Sequence, residues 1–279
     1  MSAGTASVTH SEPDMTEGAG IAVVTGASSG IGAVYAGRLA GRGYDLVLVS
    51  RSAPPLRKLA MQLRADTGRK VSVIFADLTN PIDLDSTARA IAALPSLSVL
   101  VNSAGIGATA TLLDSDMEAM QDLLLLNTGA LVRLTHAAAA SMVARGKGTI
   151  VNISSSSALA PELINGVYAG SKAFVLAFSQ SLQHELGPRG VFVQAVLPGA
   201  TATPFWKTAG KSLEHLPKHT LMSAEDLVDA ALRGLDQGEL VTIPSLPDIS
   251  EWKAFEAARE HMRPHLSSAL PAQHYAPER

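Results

Sequence analysis

The 279-residue sequence contains no cysteine, and this absence removes several kinds of chemistry at once. Disulfides, iron–sulfur clusters, thiolate zinc sites and cysteine nucleophiles all require a thiol. A chain without disulfides suits the reducing cytoplasm, so a cytoplasmic location is expected. Only 17% of the residues are charged and 4% are aromatic, whereas 47% are hydrophobic. That balance disfavours general disorder and allows a sizeable core.

Two further absences narrow the class of partner. The formal net charge is −3, so the chain lacks the basic excess that concentrates proteins on nucleic acid. It also lacks any run of 18 or more uninterrupted apolar residues, so no membrane span is expected. Residues 1–18 are rich in Ser, Thr, Ala and acidic residues and have no apolar segment of the secretory kind. They are predicted to form a disordered tail.

Short β-branched apolar runs alternate with helical patterns from residue 20 onward. Consecutive apolar positions are typical of strands buried on both faces, as in a parallel sheet covered by helices. The predicted strands are Ile21–Thr25, Leu46–Ser50, Val71–Phe75, Val99–Asn102, Thr149–Ser154, Val191–Val196 and Leu240–Ile243. The predicted helices lie at about 30–42, 55–67, 83–93, 116–144, 165–187 and 224–237. The alternation predicts an α/β fold, a Rossmann-like doubly wound parallel sheet of about seven strands in three layers.

This fold is expected to form a single domain over residues 19–279, although two regions break the alternation. Residues 203–222 contain two prolines and several large apolar side chains without a helical period. A loop this long inside a domain usually has a function, so the segment is predicted to be a substrate lid. Beyond Pro244, one helix is predicted at Ser250–Met262, and residues 264–279 are predicted to be a mobile tail.

A glycine-rich turn follows the first predicted strand. Gly26, Gly30 and Gly32 have the spacing GxxxGxG and lead directly into a predicted helix. Glycines allow a tight turn and a close approach of bare backbone to a diphosphate, and the helix then presents its N–H groups to that anion. Because glycine also marks ordinary turns, it is the position between a buried strand and a helix that indicates a nucleotide site.

The residues that end the second predicted strand indicate which nucleotide is bound. Sites that prefer NAD place an acidic residue there, beside the adenosine ribose. Asp45 precedes the strand and therefore lies at the opposite edge, whereas Ser50, Arg51 and Ser52 lie at the correct edge. A guanidinium can bind a 2′-phosphate through two hydrogen bonds, so NADP(H) is the expected cofactor.

A tyrosine and a lysine four residues apart are the first catalytic candidates. Tyr168 and Lys172 share one face of a predicted helix. A phenol ordinarily has a pKa of about 10, and a neighbouring cation is expected to lower the pKa of Tyr168 and prepare it for acid–base catalysis. Ser155 lies thirteen residues upstream in a serine run, where a strand reaches the carboxyl edge of the sheet. Each motif alone is a weak indication.

Taken in order over residues 20–243, these motifs resemble the single-domain branch of the short-chain dehydrogenases/reductases. The segment 102–105 is similar to the family's NNAG motif, with Ser103 in place of its second asparagine. The catalytic set that the resemblance implies is Asn127, Ser155, Tyr168 and Lys172. The implied cofactor-binding set is Gly26, Ser28, Ser29, Gly30, Ile31, Gly32, Ser50, Arg51, Asp77, Leu78, Asn102, Ala104, Gly105, Tyr168, Lys172, Pro198, Gly199, Thr201 and Thr203.

The resemblance also implies a role for each catalytic residue. Ser155 would orient a substrate carbonyl, and Tyr168 would donate a proton to its oxygen as hydride reaches the carbon, or accept that proton in the oxidative direction. Lys172 would bind the nicotinamide ribose and tune Tyr168, and Asn127 would hold a water that links Lys172 to solvent. Family members often assemble through the helices near 116–144 and 165–187, so a homodimer or homotetramer is expected.

The first hypothesis is therefore an NADP(H)-dependent oxidoreductase that interconverts a ketone or aldehyde and an alcohol. The apolar side chains of the predicted lid favour a hydrophobic or aromatic carbonyl substrate. Its lysines also suit an acyl-carrier or acidic group, so 3-oxoacyl reduction is an alternative. A non-catalytic dinucleotide-binding sensor and an epimerase or dehydratase are less favoured. No metal site is predicted, since Pro217 and Pro264 interrupt the spaced histidine pairs 215/219 and 261/265.

Overall fold

The computed structural model describes residues 19–275, so the predicted tail at residues 1–18 lies outside the described residues, as do residues 276–279. The chain divides after Pro244 into two compact units, Met1–Pro244 and Ser245–Arg279, and each is described separately below. The single domain predicted over residues 19–279 therefore spans both units.

A seven-stranded, fully parallel sheet forms the centre of the first unit. The strands are β1 (Ile21–Thr25), β2 (Asp45–Ser50), β3 (Val71–Phe75), β4 (Leu97–Asn102), β5 (Gly148–Ile153), β6 (Val191–Val196) and β7 (Val241–Thr242). They lie in the order β3-β2-β1-β4-β5-β6-β7, and every neighbouring pair is parallel. The predicted α/β fold is confirmed, and three predicted strands have the observed bounds.

Helices cover both faces of this sheet. They are α1 (Gly30–Gly41), α2 (Ala53–Thr67), α3 (Pro81–Ala92), α4 (Met117–Leu124), α5 (Leu131–Ala144), α6 (Gly166–Leu186), the short α7 (Phe205–Thr208) and α8 (Ala224–Asp236). One face packs against α1, α2 and α8, and buries side chains such as Tyr35, Leu56 and Leu227. The other face packs against α3, α5 and the end of α6. The central strands are covered on both faces, which explains their unbroken apolar runs.

The order of the strands fixes where a ligand can bind. The chain proceeds outward from β1 to β3 and then returns to the other side of β1 at β4. In open α/β sheets, such a reversal leaves a crevice outside the carboxyl ends of the two adjoining strands. The loops after Thr25 and Asn102 flank that crevice, so the glycine-rich turn and the 102–105 segment meet there.

One long helix predicted at 116–144 is interrupted in the structure. A six-residue π-helical segment, Leu125–Ala130, separates α4 from α5. π-Helical segments inside α-helices are frequently found at functional sites, and this one contains Asn127. By length and composition, the continuous stretch Met117–Arg145 is long and apolar enough to cross a membrane, but the core helix of a soluble protein passes the same test. Leu134, Ala138 and Met142 within it are buried against the sheet.

Between residues 245 and 275, the described part of the second unit, there is one regular helix, α9 (Ile249–Met262). Asp248 caps its first turn by accepting a hydrogen bond of 2.8 Å from the backbone N–H of Ser250. Trp252 and Phe255 stack one turn apart, with ring centroids separated by 5.4 Å. The helix predicted at Ser250–Met262 is thus present, while the mobility predicted for residues 264–279 stays a prediction.

Candidate active site

A cleft with a volume of about 410 Å³ lies at the carboxyl edge of the sheet. Every member of the predicted cofactor-binding set lines it except Asn102, and every member of the predicted catalytic set lines it except Asn127. The structure thus brings together residues that are separated by up to 177 positions, from Gly26 to Thr203. The two exceptions have structural roles next to the cleft.

The Asn102 side chain lies inside the molecule rather than in the cleft, so its assignment to cofactor binding stays a prediction that the side chain does not support. Its Nδ2 donates to Oγ1 of Thr135 on α5 and to Oδ1 of Asn152 on β5, each at 2.9 Å. Nδ2 of Asn152 in turn donates to Oγ of Ser179 on α6. Buried amides need such partners, and this chain of bonds joins two strands to two helices beneath the site.

The glycine-rich turn fits a diphosphate. Gly30 has a φ of +54°, a backbone conformation that is strained for residues with a side chain. A Cβ there would also lie 3.0 Å from Cγ2 of Thr203. A Cβ at Gly32 would lie 2.5 Å from the carbonyl oxygen of Gly26. Within the described chain, the Ser29 side chain at the N-cap of α1 makes no capping hydrogen bond. The first-turn N–H groups of this helix therefore remain available to an anion.

Thr25 fixes this turn to the neighbouring loop. Its Oγ1 accepts hydrogen bonds from the backbone N–H groups of Ser103 and Ala104, at 3.1 and 3.0 Å. A Cβ at Gly26 would lie 2.8 Å from Cα of Ala104, so the two loops touch through backbone atoms. The substitution of Ser103 for the usual asparagine leaves this contact intact, because Thr25 binds only its backbone.

The end of β2 carries the predicted 2′-phosphate ligands. Oγ of Ser50 donates to Oγ of Ser28 at 2.8 Å, which holds the strand end against the glycine-rich turn. Nη1 of Arg51 lies 3.5 Å from Oδ2 of Asp77, and the Arg51 side chain is 61% exposed. So long a contact leaves the guanidinium free to turn to a phosphate. Burial raises the pKa of Asp77, but hydrogen bonds from Thr79 and the charge of Arg51 outweigh it and hold that pKa below its usual value.

Tyr168 and Lys172 emerge from the first turns of α6 at the inner end of the cleft. Nζ of Lys172 donates to the carbonyl oxygen of Ile153 at 3.0 Å and lies 5.7 Å from the centre of the Tyr168 ring. Oγ of Ser154 donates to the backbone carbonyl of Lys172 at 2.7 Å. These two bonds tie the helix to the end of β5, so the phenol and the ammonium are held relative to Ser155.

The structure reverses the shift expected for Tyr168. Burial raises the pKa of Tyr168 to about 12, and a hydrogen bond from Ser155 offsets only part of that rise. Burial also lowers the pKa of Lys172 to about 8. The Lys172 ammonium lies 5.7 Å from the centre of the ring and donates to Ile153. Its charge therefore does not overcome the cost of burying a phenolate. In this state Tyr168 is a neutral proton donor at pH 7.

Ser155 begins a short 3₁₀ turn, Ser156–Ala158, and its hydroxyl oxygen accepts two hydrogen bonds from one residue. The backbone N–H of Ser157 donates at 3.2 Å and Oγ of Ser157 donates at 2.9 Å. Both serines are buried and line the cleft. Ser157 was not predicted, although its place in the serine run two residues after Ser155 was a signal for it.

Asn127 supports the site from the π-helical segment. Its Oδ1 accepts from the backbone N–H of Ile106 at 3.0 Å, and its Nδ2 donates to the carbonyl oxygen of Ile106 at 3.0 Å. The same Nδ2 also donates to Oγ of Ser171 at 3.1 Å. A Cβ at Gly105 would lie 3.1 Å from Asn127 Oδ1 and 3.5 Å from Lys172 Nζ. The Asn127 amide thus holds the loop beside Lys172, while the water assigned to Asn127 remains a prediction.

Asn165 holds the helix that carries Tyr168. Its Oδ1 accepts from the backbone N–H groups of Val167 and Tyr168, at 2.9 and 3.2 Å. Its Nδ2 donates to the carbonyl oxygen of Ala110 and to Oγ of Ser115. All the polar atoms of this buried amide are satisfied. Sequence reasoning missed Asn165, whose only signal was an asparagine at the predicted start of a helix.

The first residues of the predicted lid, 203–206 and 208, line the cleft, while its role as a lid stays a prediction. Its Phe205 ring lies 5.8 Å from the Tyr168 ring and 5.7 Å from that of Trp206, centroid to centroid. Nε1 of Trp206 donates to the carbonyl oxygen of Thr201 at 2.8 Å. A Cβ at Gly107 would lie 2.2 Å from Cζ of Phe205, so the ring occupies space that only glycine leaves open. The wall next to Tyr168 is therefore aromatic and fitted to its neighbour.

The chain matches the family model for "short chain dehydrogenase" over residues 20–214. Human 17-beta-hydroxysteroid dehydrogenase type 3 is 37% identical over 190 residues, which are 67% of this chain and 60% of that protein. Very-long-chain 3-oxoacyl-CoA reductase of Podospora anserina is 35% identical over 225 residues, 78% of this chain and 64% of that protein. The chain thus spans less than two thirds of the length of either relative.

Two solved structures match more of this chain, and at higher identity, than these two relatives do. A short-chain dehydrogenase from Sphingobium yanoikuyae in complex with NADPH is 43% identical, with a TM-score of 0.89, and covers 92% of this chain and 100% of that one. The bulky-bulky ketone specific alcohol dehydrogenase from Comamonas testosteroni is 41% identical, with a TM-score of 0.86, over 94% of this chain and 100% of that one. Together with the motif order and the cleft, the matched family model shows that this chain belongs to the short-chain dehydrogenase family.

Proposed function

We propose that this protein is an NADP(H)-dependent oxidoreductase that interconverts a ketone or aldehyde and an alcohol. The observation that carries the proposal is the convergence of Ser155, Tyr168 and Lys172 on one cleft that also contains the glycine-rich turn. A proton donor, a hydroxyl that donates to a carbonyl oxygen, and a dinucleotide cradle are the parts that such a reaction needs.

The first-turn N–H groups of α1 would bind the diphosphate of the cofactor, and Arg51 with Ser28 and Ser50 would bind the 2′-phosphate. Lys172 would bind the nicotinamide ribose, and Thr203 would lie beside the nicotinamide end. When bound, NADPH supplies the hydride. The NADPH complex of the 43% identical Sphingobium structure supports this choice of cofactor.

The chain's own residues move the proton. Ser155 donates a hydrogen bond to the substrate carbonyl oxygen and fixes its position. Tyr168 then gives its phenolic proton to that oxygen, so that the carbonyl becomes a hydroxyl, and takes the proton back in the oxidative direction. Burial keeps Tyr168 protonated at neutral pH, which supports reduction as the direction that the free enzyme is prepared for. The ammonium of Lys172 stabilises the phenolate that proton transfer leaves behind.

The walls of the cleft favour a bulky apolar carbonyl compound. Leu163, Ile164, Phe205 and Trp206 line the end of the cleft near Tyr168. The bulky-bulky ketone specific alcohol dehydrogenase from Comamonas testosteroni matches 94% of this chain's length. That similarity supports the same substrate class here. We therefore propose a ketone that carries two large apolar groups, with residues 203–222 acting as the lid.

A second candidate is a 3-oxoacyl-CoA or 3-oxoacyl-carrier reductase. Exposed Leu112, Leu113 and Leu163 give the chain apolar surface suited to an acyl chain, and the Podospora relative is named for this activity. Against this candidate, the similarity to the Podospora reductase covers only 64% of that protein's length. A comparison of kcat/KM for an aromatic ketone and a 3-oxoacyl thioester separates the two candidates.

We also propose that the protein forms a homodimer or homotetramer through the α5–α6 face. Phe174 on α6 is 42% exposed and stacks on Phe178, with ring centroids 5.6 Å apart. It closes a shallow surface groove with Val132, Arg133 and His136 on α5. Large apolar side chains at such a groove are typical of subunit contacts.

The cofactor assignment is tested by fluorescence titration of NADPH and NADH. The wild type should bind NADPH more tightly, and Arg51→Asp should weaken NADPH binding about ten- to hundredfold, because charge-assisted hydrogen bonds to the 2′-phosphate are lost. Arg189→Asp, at the opposite edge of the sheet, is the matched control. An unchanged ratio of NADPH to NADH affinity in Arg51→Asp would contradict the role of Arg51.

The acid–base assignment is tested by removing one phenolic oxygen. Tyr168→Phe should lower kcat for ketone reduction about a hundredfold or more while NADPH still binds. Tyr35→Phe is the matched control, because the buried Tyr35 hydroxyl has no hydrogen-bond partner among the described residues and its loss should leave turnover unchanged. Substantial activity in Tyr168→Phe would rule out Tyr168 as the proton donor.

A further inference from the structure

Ser157 makes an unusual pair of contacts with the catalytic serine. Its backbone N–H and its hydroxyl both donate to the same atom, Oγ of Ser155, at 3.2 and 2.9 Å. A hydroxyl oxygen has two lone pairs and one proton. Both lone pairs of Ser155 are therefore occupied, and the only hydrogen-bonding capacity left to it is donation of its own proton.

This restriction matters because of what surrounds Ser155. The hydroxyl of Ser155 bonds Tyr168, and that bond stabilises the phenolate relative to the phenol. If Ser155 had a free lone pair, a protonated Tyr168 could donate its proton to Ser155 instead of to a substrate. With the lone pairs filled, Tyr168 finds no acceptor in Ser155, and a carbonyl oxygen in the cleft is the acceptor for both hydroxyls.

We propose that Ser157 is a positioning residue that makes Ser155 an obligate hydrogen-bond donor and so directs the Tyr168 proton to the substrate oxygen. The proposal rests on the carbonyl chemistry proposed above. Ser157 acts through Ser155, and its 6% exposed side chain is close enough to the cleft to respond to changes there. Hydrogen bonds in such a chain polarise one another, so the Ser157 hydroxyl also strengthens Ser155 as a donor.

Few other groups can affect the titration of Tyr168. Lys172 on the same helix faces the ring. The packing neighbours from other elements are apolar, namely Ala108, Met120, Leu123 and Phe205. The acidic side chains of the adjoining segments, Glu118, Asp122 and Glu162, are exposed. A change in the ionisation of Tyr168 after substitution of Ser157 therefore reports on the Ser157–Ser155 bond.

The experiment compares Ser157→Ala with Ser157→Thr in two measurements. In steady-state reduction of a bulky ketone, Ser157→Ala should lower kcat about three- to tenfold with little change in KM, as the loss of one hydrogen bond predicts. The second measurement is a tyrosinate absorbance titration without substrate or cofactor, in which Tyr168→Phe identifies the step that belongs to Tyr168. That step should move to higher pH in Ser157→Ala. Ser157→Thr retains the hydroxyl and should restore both values.

The outcomes separate this inference from the proposed function. An unchanged kcat and an unchanged tyrosinate step in Ser157→Ala overturn the role of Ser157. A fall in thermal stability with equal losses in every parameter, and no recovery in Ser157→Thr, also overturns it and indicates a structural role. If the wild type reduces no carbonyl compound, the proposed function fails, yet the titration still decides whether Ser157 controls Ser155. Ser141→Ala, whose hydroxyl bonds only within α5, is the control substitution.

Discussion

At the scale of single residues, burial decides the chemistry of the site more than sequence spacing does. The Tyr-x-x-x-Lys pattern correctly places Tyr168 and Lys172 in one cleft. It does not reveal that burial raises the pKa of the phenol to about 12 and lowers that of the ammonium to about 8. Lys172 still carries its proton at pH 7, about one unit below that pKa. In the free site, Tyr168 is therefore a neutral acid and Lys172 is a cation beside it.

The contact between Gly107 and Phe205 predicts how the cleft can be altered. A Cβ at Gly107 would lie 2.2 Å from Cζ of Phe205, so Gly107→Ala should push the ring away from Tyr168. KM for a bulky ketone should rise about three- to tenfold, while the Kd of NADPH stays the same. In a Phe205→Ala background, Gly107→Ala should have no further effect. Additive losses in this double-mutant cycle would contradict the contact.

Residue-level prediction from the sequence succeeds where the chemistry depends on a local motif. The glycine turn, Arg51 and Ser155 all lie where their motifs place them. It does not predict where the Asn102 side chain lies, because its position depends on neighbours distant in sequence, here Thr135 and Asn152. The partners of Ser157 and Asn165 were likewise invisible, since a loop serine or a helix-start asparagine has many ordinary roles.

At the scale of elements, the start of α6 decides how accurately the general acid is held. Asn165 caps the helix and at the same time bonds the loop at Ala110 and Ser115, so helix and loop move as one. The π-helical segment Leu125–Ala130 was predicted as ordinary helix, because six residues are too few for its different period to show in the apolar pattern. Asn127, which bonds both the N–H and the carbonyl oxygen of Ile106, lies within this segment.

Loss of the cap should affect both stability and catalysis. Asn165→Ala removes the Oδ1 that accepts two capping hydrogen bonds and the Nδ2 that donates two more, so the free energy of unfolding in urea should fall by about 1–3 kcal/mol. The kcat should also fall, because the first turn of α6 carries Tyr168. Asn80→Ala is the matched control, since Asn80 caps α3 through two similar bonds and is not among the residues that line the cleft. A kcat equal in both variants would refute the positioning role of Asn165.

At the scale of the whole molecule, the parallel sheet explains why one cleft collects so many motifs. The sequence predicts the number and direction of the strands, because buried parallel strands have unbroken apolar runs. Periodicity does not predict that β1 lies between β2 and β4, because the β1–β4 pairing joins Ala22 to Val99 across five intervening elements, α1 to α3. The carboxyl edge created by this order receives the loops that hold the site.

The proposed assembly through the α5–α6 face is tested by solution mass. Phe174→Glu places a charge on the exposed ring position and should convert the wild-type dimer or tetramer to a monomer in light scattering after gel filtration. Phe255→Glu, at a phenylalanine of similar exposure on α9, is the control and should retain the wild-type mass. A monomeric wild type, or an assembled Phe174→Glu variant, would exclude this face as the subunit contact.

The way residues 203–222 are attached has a consequence for how this protein could diversify. The backbone of Met222 bonds Ala200 and Ala202, and the carbonyl oxygen of Ala209 accepts from Thr109. Each of these bonds uses a main-chain atom of the segment, which every amino acid supplies. Apart from Trp206, whose Nε1 donates to the carbonyl oxygen of Thr201, side chains along the segment can thus be exchanged without losing these bonds. New substrate preferences can arise there, by natural drift or by directed evolution, while the cofactor cradle and proton donor stay untouched.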